Sequence, residues 1–464
     1  MSLFSILNMS GSALQAQQVG LQVTANNIAN AGTDGYHRQS VDYRTAGSYW
    51  TSGLLLGSGV TAADVASAYD KFTESRLFEE HSHQGYTEEM NAAYEVLQSL
   101  VGSVDEGSLS SRISDLFLQF DALATTPHDT NTRNLVLASA ESLAAEFNRQ
   151  ADVLGDVASS ADDAIAMGVD TANTLLGDIA AMNGEIVALE SGGQNASDAR
   201  DERSRLVDEL SGLMNVTLSE QSDGSMTVMI GGHSAVQGTT ARTLDTAEDA
   251  ATGDQRITLA AGALTVDITD QISSGTVAAQ VEIRDSVVPG LLADLDQLAF
   301  DMATAINDVH EAGYDLDGNT GLQLFDAASV VSGAAAAMKL STDVDGEPSA
   351  LAAATDPTAV PGDGSNAIAL GDLAESLAAG GGEHTFTQEA AAWIGQLGMD
   401  AAAVEANYTI QSAVTLSVES TWQQRSAVSL EEEAVNLIQY QDAYDAMAKV
   451  LQVTQQMLDT LMEI

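Results

Sequence analysis

Residues 3–30 carry apolar side chains at a regular spacing. Large apolar residues recur every seven positions, and a smaller, more polar column lies between them at spacings of four and three. The large column is Leu7, Leu14, Leu21 and Ile28, and the other is Leu3, Ser10, Gln17 and Thr24. This pattern predicts one long helix that packs against a partner. We expect it to end in the Asn- and Gly-rich residues 26–35, which favour a turn.

The other end of the chain repeats the pattern. The positions that alternate by four and three are Leu430, Ala434, Leu437, Gln441, Tyr444, Ala448, Leu451, Gln455, Leu458 and Met462. Ser429 and Glu432 have the spacing of a capping box at the start of this helix. Periodicity alone fits two ordinary core helices equally well. Chain ends usually fray, however, so two regular terminal helices indicate a pair built for assembly.

The middle of the chain is predicted to contain two helical regions separated by a region of strands. Residues 86–190 predict long helices, such as Leu109–Leu123, whose apolar residues Ile113, Leu116, Phe117 and Phe120 share one face. A helical pattern resumes at Pro289, and an irregular region is expected over 327–382. Between the helical regions, residues 213–285 contain short alternating runs that predict strands. These runs are Met214–Leu218, Met226–Ile230, Ile257–Leu259, Leu264–Ile268 and Val277–Ile283.

The predicted fold class is mainly α with a β-rich inserted domain, in which the domains are nested and the terminal helices pair as a coiled coil. A chain of 464 residues is long enough for several domains. We expect a terminal helical domain (1–45 and 418–464), a mainly helical middle domain (46–208 and 288–417) and a β-rich outer domain (209–287).

Charge and composition exclude several classes of partner. The sequence has 16 Lys and Arg and 67 Asp and Glu, which gives a formal net charge of −51. A field of this sign repels nucleic acid and anionic membrane surfaces. The sequence contains no Cys, so neither disulfides nor thiolate metal sites can form. Because no cation precedes Arg38, a cleaved signal peptide is not expected.

Each candidate catalytic or binding motif in the sequence lacks an element that its chemistry requires. Residues 54–62 copy a dinucleotide-binding glycine pattern but lack the βαβ context, so a turn between strands explains them better. His81 and His83 lie among carboxylates and could hold zinc, although histidines on a polar, exposed segment are more often simply solvated. Asp315 to Asn319 look like a calcium loop with its glycine misplaced, which favours an Asx turn. We therefore predict no catalytic residue, no metal, no cofactor and no enzymatic activity.

Residues 26–39, NNIANAGTDGYHRQ, resemble the N-terminal signature of axial flagellar proteins, which form the rod, hook and hook-associated parts of the bacterial flagellum. Within that group the last four residues are most similar to the FlgK family of hook–filament junction proteins. Further segments that are similar to this family are 57–60, 69–72, 201–210, 306–318, 364–367 and 432–441. Two departures are Gly32, where the family usually has Asn, and residues 426–428, which lack the usual Gly.

The resemblance implies a structural protein that forms a short ring between hook and filament. It implies export to the cell exterior through the flagellar type III apparatus without cleavage. The implied partners are other copies of the chain, the hook protein, the second junction protein (hook-associated protein 3) and a cytosolic chaperone that holds the C-terminal helix. The assembly interface is then expected to include Leu7, Leu14, Leu21, Asn26, Asn27, Ile28, Asn30, Arg38, Leu437, Tyr444, Leu451 and Leu458.

Three alternatives remain open from the sequence. A hook or rod subunit would also have heptad-like termini but would be incorporated elsewhere along the axis. A secreted adhesin with such termini would bind host surfaces through its middle region and leave motility unaffected. A hydrolase would use His81 and His83 and would purify with stoichiometric zinc.

The acidic composition generates a prediction about salt. Densely spaced carboxylates repel one another unless salt screens them. We expect the melting temperature of the protein to rise from dilute buffer to molar salt, as measured by thermal unfolding. A melting temperature that stays flat or falls would contradict the idea that the protein works in high salt.

Overall fold

The computed structural model describes residues 3–51, 54–101, 107–250, 252–262, 264–326 and 328–462. The helices are α1 (Leu3–Ala29), α2 (Lys71–Val101), α3 (Leu109–Thr125), α4 (Thr130–Ser191), α5 (Ser197–Leu213), α6 (Thr276–Glu282), α7 (Val288–Ala312), α8 (Ala334–Ala337), α9 (Ser365–Gly371), α10 (Phe386–Ser426) and α11 (Leu430–Met462). The strands are β1 (Gln39–Thr45), β2 (Ser48–Thr51), β3 (Leu54–Gly57), β4 (Val60–Ser67), β5 (Val216–Glu220), β6 (Met226–Ile230), β7 (His233–Gln237), β8 (Thr240–Ala241), β9 (Leu244–Glu248), β10 (Gln255–Ala261) and β11 (Leu264–Asp267). The outermost residues of the predicted terminal domain, 1–2 and 463–464, lie outside the described residues, as does residue 327 at the start of the predicted irregular region.

The predicted fold class is confirmed. Helices dominate, strands β5–β11 form an insert, and the N- and C-terminal helices pack against each other. The chain divides into two compact units, and both units are built from separated segments. The first unit comprises Met1–Tyr86, Gly168–Thr276 and Ile410–Ile464, and the second comprises Thr87–Met167 and Val277–Thr409. The three-domain boundaries proposed above stay a prediction.

The first unit contains four small antiparallel sheets. Strand β1 pairs with β4 from Gln39 opposite Ser67 to Thr45 opposite Val60, with an irregularity after Asp42. Strands β2 and β3, which lie between β1 and β4 in sequence, pair antiparallel, and Gly57 ends β3. Ser58 and Gly59 connect β3 to β4, so the expected turn between strands is present there. The insert consists of the meander β5-β6-β7-β8 and the three-stranded sheet β11-β10-β9.

Four of the five predicted strand runs are confirmed, as β5, β6, β10 and β11. The fifth, Val277–Ile283, is wrong, because these residues form α6 and the start of the π-helical turn Ile283–Val287. Adjacent residues Val277, Ala278 and Ala279 are all buried, which a half-exposed strand would not allow. The two alanines, which have high helix propensity, are consistent with this outcome. Strands β7, β8 and β9 were not predicted from the sequence.

The core of the second unit includes the predicted apolar face of α3. Ile113, Leu116, Phe117 and Phe120 are all buried, which confirms that prediction. The ring of Phe117 stacks on that of Phe386 from α10, with centroids 6.2 Å apart. Ser108 caps α3 by accepting a hydrogen bond from the backbone N–H of Ser111.

Buried polar side chains hold the irregular region of the second unit. The fully buried guanidinium of Arg133 donates to the carbonyl oxygens of Pro127 at 2.7 Å and Leu351 at 2.8 Å. The side-chain oxygen of Asn307 accepts from the backbone N–H groups of Leu324 and Phe325. In the calcium-like loop, the carboxylate of Asp315 accepts hydrogen bonds from nearby backbone N–H groups, which is the Asx turn that was favoured.

Candidate functional site

The signature segment that follows α1 is organised by Asn27, whose side chain is 1% exposed. Its amide nitrogen donates to the carbonyl oxygen of Gln39 at 2.8 Å, and its side-chain oxygen accepts from the N–H of Gln39 at 2.9 Å. The hydroxyl of Tyr36 donates to the same oxygen at 2.9 Å. Asn27 therefore satisfies both backbone groups of a buried residue twelve positions later.

Two further features shape the turn that Asn27 closes. The side-chain nitrogen of Asn30 donates to the side-chain oxygen of Asn26 at 2.9 Å, on the last turn of α1. Gly35 has φ +75°, a conformation that residues with a Cβ rarely adopt. Asn26, Asn27 and Asn30 thus act within the chain, as the elements of one turn.

His37 lies at the centre of a buried ion cluster, and its side chain is 1% exposed. Its Nδ1 is 2.8 Å from Oδ1 of Asp201 on α5, and its Nε2 is 3.4 Å from Oε1 of Glu74 on α2. The rings of Tyr69 and Trp422 flank the imidazole. The cluster therefore ties the signature segment to α2, α5 and α10.

The imidazole of His37 carries a proton at neutral pH. Burial alone would lower its pKa, but the hydrogen bonds to Asp201 and Glu74 outweigh burial and raise the pKa of His37 to about 9. Burial also raises the pKa of the Asp201 carboxyl. We assign the proton to the histidine, because two carboxylates lie within 3.4 Å of the ring.

Arg38 connects the signature segment to the last helix. Its backbone N–H donates to the carbonyl oxygen of Ser426, at the end of α10, at 2.8 Å. Its guanidinium donates to Oε2 of Glu432, in the first turn of α11, at 2.7 Å. The capping box is therefore only half formed: the N–H of Glu432 reaches the hydroxyl of Ser429, while its carboxylate binds Arg38.

The buried face of α1 is made of small and polar residues rather than of the leucine column. Its members are Ser10, Ala13, Ala16, Gly20, Thr24 and Asn27. A Cβ on Gly20 would lie 2.9 Å from Cε1 of Tyr440 on α11 and 2.5 Å from the hydroxyl of Tyr43 on β1. Glycine therefore leaves the room that lets α1 approach α11 and β1 so closely.

The four apolar residues of α1 that were predicted for the interface, Leu7, Leu14, Leu21 and Ile28, lie beside this face. Leu14, Leu21 and Ile28 each follow a buried residue by one position, which turns their side chains about a quarter of the way around the helix. These three side chains and that of Leu7 are half-buried in the single chain. Their role in assembly stays a prediction.

On α11, one of the two predicted columns is half-buried and most of the other is exposed. Leu437, Tyr444, Leu451 and Leu458 are half-buried, as expected for the side that faces α1. The second column lies one residue earlier than predicted. It consists of Glu433, Tyr440, Met447 and Thr454, whereas Ala434, Gln441 and Gln455 are exposed and Ala448 is half-buried. Tyr440 lies against Gly20 of α1, which accounts for the shift at that position.

A second apolar stripe on α11 is exposed. Its members are Val435, Ile438, Val450, Val453, Met457 and Leu461, and each is at least 41% exposed. Residues 450, 453, 457 and 461 recur at helical spacing, so they share one side of the helix. Exposed apolar patches of this kind mark interaction surfaces.

The other sequence candidates form no site. Nδ1 of His81 is 2.5 Å from Asp208 and Nε2 is 3.2 Å from Glu419, so this ring joins α2 to α5 and α10. Within the described ranges no group of metal-ligating side chains could hold an ion. None of the helices among those residues is long and apolar enough to cross a membrane.

Sequence reasoning missed the residues that complete the buried cluster, above all Glu74 and Trp422. Asp201 belongs to a segment that had been recognised only as a family resemblance. Each lies far from His37 in sequence, so only the tertiary fold brings them together. A signal was available for Glu74, because it occupies an inward position next to the apolar Leu77 and Phe78 on α2.

Both ends of the chain match models of axial flagellar proteins. Residues 7–37 match the family described as "Flagella basal body rod protein", and residues 421–464 match "Flagellar basal body rod FlgEFG protein C-terminal". These two stretches contain α1 with most of the signature segment, and α11. The class of protein that the paired termini define is therefore the axial proteins of the bacterial flagellum.

Further matches identify the family within this class to which the chain belongs. Residues 94–325 match "Flagellar hook-associated protein FlgK helical domain". The chain is 28% identical to flagellar hook-associated protein 1 of Bacillus subtilis, over 99% of this chain and 97% of that protein. It is 26% identical to flagellar hook-associated protein 1 of Escherichia coli, over 99% and 100%. The chain belongs to the FlgK family of flagellar hook-associated proteins.

A solved structure shows the same fold. The flagellar hook junction protein FlgK from Burkholderia pseudomallei superposes with a TM-score of 0.67 at 16% identity. The match covers 76% of this chain and 100% of that one.

The role of Asn27 can be tested by substitution. We expect Asn27→Ala to lower the free energy of unfolding of the first unit by about 3 kcal/mol, because it leaves the buried backbone N–H and C=O of Gln39 without hydrogen-bond partners. Chemical denaturation followed by circular dichroism measures this change. Asn8→Ala, at an exposed position of the same helix, is the matched control and should change stability by less than about 0.5 kcal/mol. Equal effects of the two substitutions would contradict the role assigned to Asn27.

Proposed function

We propose that this protein is a structural subunit of the junction between the flagellar hook and filament, where copies of the chain form a short ring. Family membership over the whole chain carries this proposal. Two relatives are named hook-associated proteins, and the similar solved structure is titled a hook junction protein. The proposed activity is mechanical, since the buried side-chain clusters around Asn27 and His37 join segments of the chain.

The terminal helices are the proposed assembly element. One side of α11 packs on α1, and the stripe from Val450 to Leu461, about a quarter of a turn around the helix from that side, is apolar and exposed. Covering a large apolar side chain contributes about 1.5–3 kcal/mol, so a few such residues per subunit are enough to hold neighbours together. We propose that neighbouring subunits cover this stripe and extend the α1–α11 pair into a coiled-coil packing.

The half-buried large apolar residues of α1 fit the proposed contact between subunits. Leu7, Leu14, Leu21 and Ile28 are partly covered within one chain and keep apolar surface available to a neighbour. The signature turn contributes indirectly, because Asn27 and Arg38 fix where α1 ends and where α11 begins. We propose that Asn26, Asn27, Asn30 and Arg38 position the interface rather than contact the neighbour.

The proposed partners along the axis are the hook protein on one side and the second junction protein on the other. The proposed route to the cell exterior is the flagellar type III export apparatus. A chaperone that covers the apolar stripe of α11 in the cytosol fits this route, because the stripe would otherwise promote aggregation before assembly.

A hook or rod subunit is the main competing function, since models of rod proteins match both termini. The match of residues 94–325 to the FlgK helical domain favours the junction. Immunogold labelling of isolated flagella distinguishes the two. Label at the hook–filament boundary supports the junction, and label along the hook or rod contradicts it.

The exposed stripe of α11 provides a direct test. In a strain that lacks the chromosomal gene, we expect Met457→Asp to yield complete hooks without filaments and flagellin in the medium, because a charge enters an apolar contact between subunits. Electron microscopy and immunoblotting of the medium measure these outcomes. Gln456→Asp adds the same charge at a neighbouring exposed polar position and should leave the cells motile. Normal filaments on Met457→Asp cells would contradict the proposed interface.

A further inference from the structure

An aromatic side chain at the start of α2 is almost fully exposed. Phe72 is 86% exposed, the largest fraction among the exposed large hydrophobic side chains of the described chain. Tyr69, two residues before the helix begins, is 40% exposed. We refer to Tyr69, Lys71, Phe72, Arg76 and Arg425 as the Phe72 patch. Single exposed apolar residues are common, but an aromatic ring this exposed beside three cations is a different feature.

The backbone beneath Phe72 is firmly held. The carboxylate of Asp70 accepts hydrogen bonds from the N–H groups of Phe72 at 3.0 Å and Thr73 at 3.3 Å, which caps α2. The guanidinium of Arg425, from α10, donates to the other oxygen of Asp70 at 2.7 Å and to the hydroxyl of Thr73 at 3.2 Å. Phe72 is therefore presented from a fixed helix start, so little entropy is lost when a partner binds it.

The opposite side of the same helix turn is already filled. Thr73, Glu74, Leu77 and Phe78 are buried inside the first unit. Because successive residues of a helix point in different directions, Phe72 cannot turn inward without displacing these side chains. The ring of Phe72 is thus available only to another molecule.

The charge of the patch differs from that of the rest of the chain. Its three cations, Lys71, Arg76 and Arg425, lie beside Asp70 and Glu80, whereas the whole chain has 16 Lys and Arg against 67 Asp and Glu. Arg76 is 65% exposed and Arg425 is 59% exposed. Lys71 makes no ion pair with any residue in the described ranges. An acidic surface can approach here without the repulsion it meets elsewhere.

We propose that the Phe72 patch is a docking surface for a second copy of this chain. Phe72 is the apolar anchor, and Lys71 and Arg76 pair with carboxylates of the neighbouring copy. Charge complementarity supports this occupant, because copies with a net charge of −51 repel one another unless cations of one face carboxylates of the next. The contact is heterologous, with the patch of one copy on a different, acidic surface of the next, which is the geometry that generates rings. The inference rests on the proposed function, in which copies are neighbours in a junction.

Site-specific photo-crosslinking in assembled flagella tests the patch. The photoreactive residue p-benzoylphenylalanine replaces Phe72, Met457 or Leu264 in three separate strains. Met457 reports on the terminal-helix contact of the proposed function. Leu264, which is 73% exposed on the β-rich insert, is the matched apolar control. Illumination, followed by mass spectrometry of the crosslinked product, identifies the neighbour.

We expect position 72 to give a product of two copies of this chain and position 264 to give none. Adding Lys71→Glu and Arg76→Glu should lower the yield of the crosslinked product from position 72 by at least about tenfold, as expected for loss of contacts at the centre of an interface.

Two results would contradict the proposed role of the Phe72 patch without contradicting the proposed ring. One is a product at 457 together with none at 72, and the other is a product at 72 with a different protein. Equal yields at 72 and 264 would also contradict the proposed role of the patch. Absence of a two-copy product at 457 counts against the terminal-helix contact of the proposed function, whatever position 72 shows.

Discussion

The first unit depends on the pairing of the Asn27 side chain with the backbone of Gln39. This pairing closes the turn after α1 and sends the chain into β1, so the neighbouring His37 and Arg38 reach their partners. His37 then joins α2 and α5 through Glu74 and Asp201, and Arg38 joins the end of α10 to the start of α11. One buried amide thereby determines where both terminal helices lie. The signature segment thus joins parts of one chain, and in the proposed function the helix faces that it positions make the contacts between subunits.

Two of the cations, Arg38 and Arg425, lie where segments distant in sequence meet. Arg38 binds Glu432, 394 positions away, and Arg425 binds Asp70, 355 positions away. Exposed ion pairs of this kind contribute only about 0–1 kcal/mol each, so their main effect is to orient the segments they join. In a chain with a net charge of −51, such pairs also relieve repulsion at the places where acidic segments come together.

The sequence predicted the helices and most of the insert because their periodicities are strong. The face of α1 was harder to predict, because a column of leucines outweighs small residues in any hydrophobic pattern, while close helix contact selects Gly20 and Ala13 instead. The one-residue shift on α11 has the same origin at Tyr440, which lies against Gly20. Val277–Ile283 could be read with either period, and the alanines favoured a helix. The His37 cluster could not be predicted from spacing, because its members lie on α2, α5 and α10 and only the tertiary fold assembles them.

The central claim is that α1 and α11 pair within one chain and that neighbours add to this pair from outside. A disulfide between the two helices tests it most directly, because the chain has no Cys of its own and Gly20 lies against Tyr440. Flagella are assembled from a Gly20→Cys, Tyr440→Cys variant that also carries Tyr43→Phe, which removes the hydroxyl that the new Cβ would meet. They are oxidised and then denatured without reductant. The account predicts a disulfide inside single chains, seen as a monomer of altered gel mobility that reduction restores. Disulfide-linked dimers or longer ladders would contradict it, since they would show that α1 of one subunit pairs with α11 of the next.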